Sequence, residues 1–389
     1  MITIIPLFFF LKHAVAASLG LRTHLYIERT QDSIFSLDLS DVAVSCQWSL
    51  SDFPWDLAQV ENDDHHPIND MTPTLKKRLQ ELAGDYTNPA QEKALMAFLY
   101  LVMTLVSPLQ EKTGFKICCR SFLPVGAGLG SSASYSVVLA TALLITFGYI
   151  PVDFASSSDK IQYLETINRY AFKAEQVIHG NPSGVDNAVA AFGGAKTFLK
   201  GKGFSTLEGF KSLRLLLTNT KVPRSTSALV EFAANRKAKY PHVIDPIMDA
   251  IDGVSIRCKD AFLEYQNGTM DSLSLVTELE ELVDMNHCLL YALGVTHPSL
   301  EKIRRITASH GLITKLTGAG GGGCAVTIIR DDVDQETITK VMELLEKEGF
   351  DCYQTSVGGT GVEAVTLTPA EDIEWMINAD KETLENKFL

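Results

Sequence analysis

Residues Pro124-Val125-Gly126-Ala127-Gly128-Leu129-Gly130-Ser131-Ser132-Ala133 constrain this chain more than any other segment. A strand-like run, Lys116 to Leu123, leads into them, and a small-residue apolar stretch patterned as a helix, Ser132 to Gly148, leads out. Glycine at every second position lets backbone N–H groups converge, and the helix behind them presents a partly positive N-terminus. Strand, loop and helix together make an anion cradle, which suits a nucleotide triphosphate. Ser131 and Ser132 stand where they can cap the helix and offer hydroxyls to a phosphate-bound Mg2+. From this segment alone, a tight turn closed by a serine cap carries comparable weight. Two other phosphate motifs are excluded. No Lys-Ser or Lys-Thr follows the last glycine, as a Walker loop needs, and the third glycine does not stand three residues after the second, as a dinucleotide fingerprint needs.

A second glycine loop, Lys315-Leu316-Thr317-Gly318-Ala319-Gly320-Gly321-Gly322-Gly323-Cys324, runs into an apolar strand from Ala325. Five glycines in six positions lose much conformational entropy on folding, and the flanking apolar structure argues for close approach of a ligand to the backbone over a free linker. The third segment is Glu175-Gln-Val-Ile-His179-Gly-Asn-Pro-Ser-Gly-Val-Asp186-Asn187. Glu175 comes at the end of a helix and Asp186 after a turn made by Asn181, Pro182, Ser183 and Gly184, so one carboxylate could hold a metal and the other accept a proton. For an isolated aspartate in a turn, a cap or an exposed acid is the favoured alternative. His179, four residues beyond Glu175, reads as its hydrogen-bonding neighbour.

Length and patterning call for two domains, with the boundary expected between 1–209 and 210–389. Strands fit Ala17 to Glu28, and residues 51–74 read as an exposed connection. Helical periodicity covers Gln91–Val106 and Ser158–Ile178, the latter with Ile161, Leu164, Ile167, Ala171, Ala174 and Ile178 on one face and a stop at Gly180-Asn181-Pro182. A buried strand at Leu213–Thr218 opens the second half. Helices follow at Thr226–Lys237, Pro246–Tyr265 and Ser272–Leu293, with Leu275, Leu279, Leu282, Met285 and Leu289 in register. A strand at Ala325–Ile329, a helix near Glu336–Glu348 and an alternating stretch near Val362–Leu367 complete an α+β pattern.

Acidic residues outnumber basic ones 47 to 34, and a net charge of −13 without a basic patch argues against nucleic acid as a partner. The seven cysteines are scattered, with no C-x-x-C pair, as reduced cytosolic thiols would be. The apolar run Ile2 to Leu11 is shorter than the roughly 20 residues of a membrane span. Ala14-Val15-Ala16 could pass for a signal-peptidase site, but no positive charge precedes the run and Lys12 follows it, so a strand-like start or an atypical first exon is expected. The cytoplasm is the expected compartment with the peroxisome as the alternative, although Asn386-Lys387-Phe388-Leu389 is not the Ser-Lys-Leu address.

Taken together, the three segments resemble the GHMP family of small-molecule kinases, which share a Pro-x-x-x-Gly-Leu-Gly-Ser-Ser-Ala loop and a distal glycine-rich loop. Within it, Gly126–Ala133, His179–Asn187, Thr218-Asn219-Thr220-Lys221-Val222-Pro223-Arg224, Asp284-Met285-Asn286 and Ala292-Leu293-Gly294-Val295 look like the mevalonate kinase branch, over about Ala14 to Val362. The resemblance implies an S5-domain-2-like N-terminal domain and a ferredoxin-like C-terminal domain, ATP and Mg2+ as cofactors, mevalonate as the substrate partner, and a homodimer. It implies that Gly126, Ala127, Gly128, Leu129, Gly130, Ser131 and Ser132 wrap the ATP phosphates, that Ser132 and Glu175 bind Mg2+, and that Asp186 takes the proton of the C5 hydroxyl of mevalonate. By the same likeness Thr226 orients substrate, and Gly318, Ala319 and Gly320 belong to the active-site floor. The family's Pro-Gly-Lys and Gly-Glu-His-Ala-Val-Val-His-Gly segments have no counterpart beyond Lys12-His13-Ala14-Val15. A catalytically impaired isoform acting as a binding protein, and a GHMP kinase for another small alcohol, are therefore the alternatives.

Overall fold

The computed structural model describes residues 2–5, 13–58, 60–63, 66–69, 71–124, 126–199, 203–368 and 370–387. Lys12, Val125, most of the Ile2–Leu11 run and the last two residues of the chain lie outside them. The chain divides into two compact units, each assembled from separated stretches: a first unit of 1–21, 124–131 and 183–361, and a second of 22–123, 132–182 and 362–389.

In the second unit a four-stranded sheet has the order Thr23–Arg29, Phe115–Ser121, Ile34–Leu39, Val44–Ser49. Only the pairing of Ile34–Leu39 with Phe115–Ser121 is parallel. Alternation puts Phe35, Leu37, Phe115 and Ile117 inward, all fully buried. Against them lies the helix Pro89–Val106, whose residues from Leu95 to Val106 are all buried. A helix apolar on every side belongs in the centre of a unit. Its start is fixed by Pro89 and by the Asn88 side chain, which accepts from the backbone N–H groups of Ala90 and Gln91. Aromatic rings fill this core: Phe35 stacks on Phe115 at 4.4 Å within the sheet, Trp48 joins sheet to helix by stacking on Phe98 at 5.4 Å, and Phe53 meets Phe35 edge-on at 5.1 Å. The helix Lys160–His179 packs on Pro89–Val106, and two short C-terminal helices, Ile373–Asn378 and Lys381–Asn386, complete the unit.

The first unit holds two antiparallel sheets. One has the order Ile2–Ile5, His13–Ala17, Ala195–Leu199, Gly203–Thr206, so the expected strand-like start is observed. The other has the order Thr314–Leu316, Cys324–Ile329, Leu213–Asn219, Asp351–Val357. Cys324–Ile329 is buried along its whole length, as a strand covered on both faces must be. The helices Val185–Phe192, Thr226–Lys239, Pro241–Gln266, Ser272–Leu293, Pro298–Ala308 and Gln335–Lys347 complete it.

Several expectations need correction. Val362–Leu367 is irregular and pairs with no strand among the described residues; its residues are partly exposed without the expected alternation. Ile161 is 61% exposed, because the buried stripe of its helix begins only at Leu164. Met285 is 47% exposed: after Leu282 the buried face runs through Val283, Asn286, His287 and Leu290, placing polar groups inside where apolar spacing alone would choose Met285. The helix expected from Pro246 starts at Pro241, and Pro246 lies inside it, where its missing N–H forfeits one intrahelical bond. Residues 51–74 are not simply an exposed connection. Phe53 is buried and stacked on Trp55, and Val60–Asp63 pairs with His66–Asn69.

Because Phe35 joins the rings on both sides of the second unit's core, Phe35→Ala is expected to lower the free energy of unfolding by about 3–5 kcal/mol in chemical denaturation.

Candidate active site

The glycine loop of the first unit is held by its non-glycine residues. Ala127 and Leu129 are buried, whereas Gly126 and Gly128 lie at the surface. Two apolar pegs thus fix a backbone that leaves its glycines open. Gly126, Gly128 and Gly130 all have φ between 73° and 76°, which side-chain-bearing residues rarely adopt. At Gly128 the requirement is also steric, since an added Cβ would fall 1.2 Å from the Arg224 guanidinium.

Arg224 also meets the second glycine loop. Its Nη1 donates to the Thr317 carbonyl at 3.0 Å, and a Cβ on Gly318 would lie 2.8 Å from its Nη2. Gly323 packs on its side-chain stem, and a Cβ there would also lie 2.9 Å from the Ala127 carbonyl. One arginine therefore touches both loops. Gly320 lies against the Val295 carbonyl, to which the Gly321 N–H donates at 2.8 Å. Ala319 is partly buried between them.

Asp186 occupies the first turn of the helix Val185–Phe192, where the N-terminal dipole favours a carboxylate. It is half-buried. Burial raises its pKa above the ordinary carboxylate value, and the Arg224 charge acts in the opposite direction. Beside it Asn187 is fully buried, and its Nδ2 finds no partner among the described residues. Thr226 is exposed at the first position of the helix Thr226–Lys239, which Ser225 caps by accepting from the Ala228 N–H.

Four further groups meet in the second unit. Glu175 is 3% exposed, in the last turns of the helix Lys160–His179. Ser132 Oγ donates to its Oε2 at 3.2 Å and Ser136 Oγ to its Oε1 at 3.1 Å. The two serines stand four apart on the helix Ser131–Thr146, so they reach one carboxylate from one helical face. His179 Nε2 lies 3.6 Å from Glu175 Oε2, near it as its spacing implies, but its hydrogen-bond contact is with Ser132 Oγ at 3.2 Å instead of with Glu175. Burial, and then the charge of Lys93, lower the His179 pKa. A hydroxyl and a carboxylate oxygen are the donors that Mg2+ takes when phosphates and water fill its other positions. No cluster of three or more His, Cys, Asp or Glu side chains suited to a metal exists among the described residues.

Sequence reasoning missed Lys315, which is fully buried and whose Nζ has no hydrogen-bond partner among the described residues. Its signal was weak: a lysine directly before a glycine loop reads as surface. It also missed the reach of Arg224 and the second serine on Glu175.

Two family profiles match the chain, GHMP kinases N terminal domain over residues 97–194 and GHMP kinases C terminal over 272–343. The mevalonate kinase of Bos taurus is 40% identical over 362 residues, covering 91% of this chain and 90% of that protein. That of Homo sapiens is 39% identical over 364 residues, with 92% and 90% covered. The fold matches the Methanococcus jannaschii mevalonate kinase structure at a TM-score of 0.67 with 22% identity, covering 91% of this chain and 95% of that one. It also matches the L. major mevalonate kinase in complex with R-mevalonate, at 0.66 with 20% identity, covering 93% and 94%. No helix among the described residues is long and apolar enough to cross a membrane.

Burial lowers the Lys315 pKa from 10.5 to about 7, offset in part by Cys258. Between those values the unfolded chain holds a proton that the folded chain has released, so stability rises with pH across that window. Below about 7 both states are protonated, and the folded one bears the whole penalty of a buried charge. Lys315→Met is accordingly expected to shift the urea midpoint upward most below about pH 7, with the gain fading toward pH 10.5.

Proposed function

The chain belongs to the mevalonate kinase family, and from that premise we propose that it transfers the γ-phosphoryl group of ATP to the C5 hydroxyl of mevalonate, giving 5-phosphomevalonate and ADP. The observation that supports this most is 40% identity spread over 90% of a mevalonate kinase.

In this reading the backbone from Gly126 to Ser132 wraps the phosphates. Ala127 and Leu129 keep the loop open from below, so its N–H groups need no reorganisation when the anion arrives. Ser132 and Glu175 would hold Mg2+, which when bound neutralises charge on the phosphate oxygens. Ser136 keeps Glu175 aimed through its second oxygen.

Asp186 accepts the proton of the attacking hydroxyl. Its burial makes it a stronger base than a free carboxylate, and the Arg224 charge favours the ionised form. Phosphoryl transfer asks chiefly for positioning and charge stabilisation, so a carboxylate base is sufficient. Thr226 orients the substrate, and Gly318, Ala319 and Gly320 support the floor near Arg224. The reading extends to a cytoplasmic homodimer, by likeness to the family.

Asp186→Asn is expected to lower kcat by about 10²–10⁴-fold while ATP still binds in equilibrium titration; unchanged turnover would remove Asp186 from the base role. Because burial raises the Asp186 pKa, the acid limb of kcat/KM against pH should fall above the ordinary carboxylate range and vanish in that variant. Glu175→Gln should raise the Mg2+ concentration needed for half-maximal activity, measured at saturating ATP and mevalonate.

A further inference from the structure

The end of the chain returns to the strand that precedes the glycine loop. In the second unit, Met376, Ala379 and Leu384 of the C-terminal segment form a buried cluster with Cys118 of the strand Phe115–Ser121. Two residues on, Arg120 donates from Nη1 to the Met376 carbonyl at 3.0 Å and also to the Ala379 carbonyl. These are carbonyls at the end of the helix Ile373–Asn378 and just past it, groups that a helix leaves without intrahelical partners. Arg120 thus joins the C-terminal helix pair to a strand more than 250 residues earlier. His24, on the neighbouring strand, adds no repulsion: burial, and then the charges of Arg22, Arg120 and Lys381, hold it down to about 4, so it is neutral.

Beyond Arg120 a line of hydroxyls continues within the same unit. Ser134 Oγ donates to Thr23 Oγ1 at 3.0 Å, and Thr23 Oγ1 lies 3.0 Å from Ser121 Oγ. Since Thr23 accepts from Ser134, its own proton is available for Ser121, whose oxygen also accepts from the Leu123 N–H at 3.3 Å. Ser121 is the last residue of its strand, and its N–H donates to Asp41 at 2.6 Å. Ser134 lies in the first turn of the helix Ser131–Thr146, two residues after Ser132. The strand end and the helix turn that carries Ser132 are therefore joined by side chains as well as by the intervening loop.

We propose that the C-terminal helix pair is a positioning element for metal–nucleotide binding: Arg120 clasps it to the strand end, and Ser121, Thr23 and Ser134 pass that register to the turn that carries Ser132. Arg120 and Ser134 are positioning residues, acting through Ser132 and Glu175, and the inference rests on the nucleotide role proposed for those two. A hydroxyl chain tolerates little displacement, because each link weakens steeply once its geometry is lost. Release of the clasp would leave Ser132 with more freedom and the bound state with more entropy to lose.

The test uses the full chain carrying Arg120→Met, which keeps the stem and removes the donors, Ser134→Ala, and both together. MgATP affinity is read by equilibrium titration, alongside KM for ATP and for mevalonate, kcat and thermal midpoint. The expected result is a five- to twentyfold loss, roughly, in MgATP affinity for each single variant, with kcat and KM for mevalonate changed by less than about twofold. The double variant should lose about as much as one single variant, since residues in one network do not add. Arg120→Lys, which keeps a donor, should restore part of the affinity.

A lowered thermal midpoint with unchanged MgATP affinity would make the clasp merely structural and overturn the proposal. So would additive losses in the double variant. Should Arg120→Met fail to fold, Ser134→Ala alone decides, because it removes a single half-buried hydroxyl. Binding of MgATP by the unaltered chain without turnover of mevalonate would sink the proposed reaction and leave the clasp testable by titration.

Discussion

A single guanidinium between two glycine loops is the contact on which the first unit's candidate site depends. Arg224 occupies the space beside Gly128 where a Cβ would stand, and it reaches Gly318, Gly323 and the Thr317 carbonyl. The loops lie nearly two hundred residues apart in sequence, and glycine is costly to order. Without a shared partner each would sample many conformations. Threading one cation through both turns two flexible backbones into one surface, and the same charge acts on Asp186. Arg224 thereby bears on the shape of both loops and on the ionisation of Asp186, although burial has the larger effect on that carboxyl. This also explains why the glycines are spaced as they are: the ones that meet Arg224 need room, while Ala127 and Leu129 supply the burial that holds the loop down.

The second unit solves a different problem, which is to keep a carboxylate buried yet usable. Glu175 is almost wholly enclosed and its two oxygens accept from two serine hydroxyls on one face of one helix. Hydroxyl donors orient a carboxylate and relieve its desolvation without cancelling its charge, whereas a lysine or arginine partner would do the reverse. His179 stands close enough to join the network, and its lowered pKa keeps it neutral there. A site of this kind retains its negative charge, which is what the metal role proposed for it requires.

Much of the fold was legible because local and tertiary preferences agree. The helix Ser272–Leu293 matches its expected span to the residue, and the strand Leu213–Asn219 and the stop at Gly180 lie where apolar pattern and cap chemistry place them. Misreadings arose where one cue stood without support. Alternation at Val362–Leu367 had no partner strand among the described residues, Pro246 was given the weight of a boundary that belonged to Pro241, and Met285 fitted a helical stripe that Asn286 and His287 displaced. At the site, sequence exposed the glycines and carboxylates, whose spacing is local. It could not show that Arg224 bridges two distant loops or that Ser136 completes the grip on Glu175, because those facts belong to tertiary contact.

Three of the buried polar groups left without partners lie on or beside the segments of the candidate site. Lys315 opens the second loop, Asn187 adjoins Asp186, and Asn286 lies on the helix whose next residue, His287, accepts from the Leu316 N–H; all three are buried, each with a side-chain atom unpaired among the described residues. Folding alone would favour apolar residues at such positions, since an unsatisfied buried donor costs about 1–3 kcal/mol. The aromatic core of the second unit behaves otherwise: its rings stack, and the one polar ring atom in those pairs, Trp48 Nε1, donates to the Leu82 carbonyl at 2.9 Å. Stability yields instead at a residue of one glycine loop, at the neighbour of Asp186 and at a helix bonded to the strand before that loop. Places where a chain departs from its own packing rules are where a fixed arrangement of charge and donors matters more than the free energy of the fold.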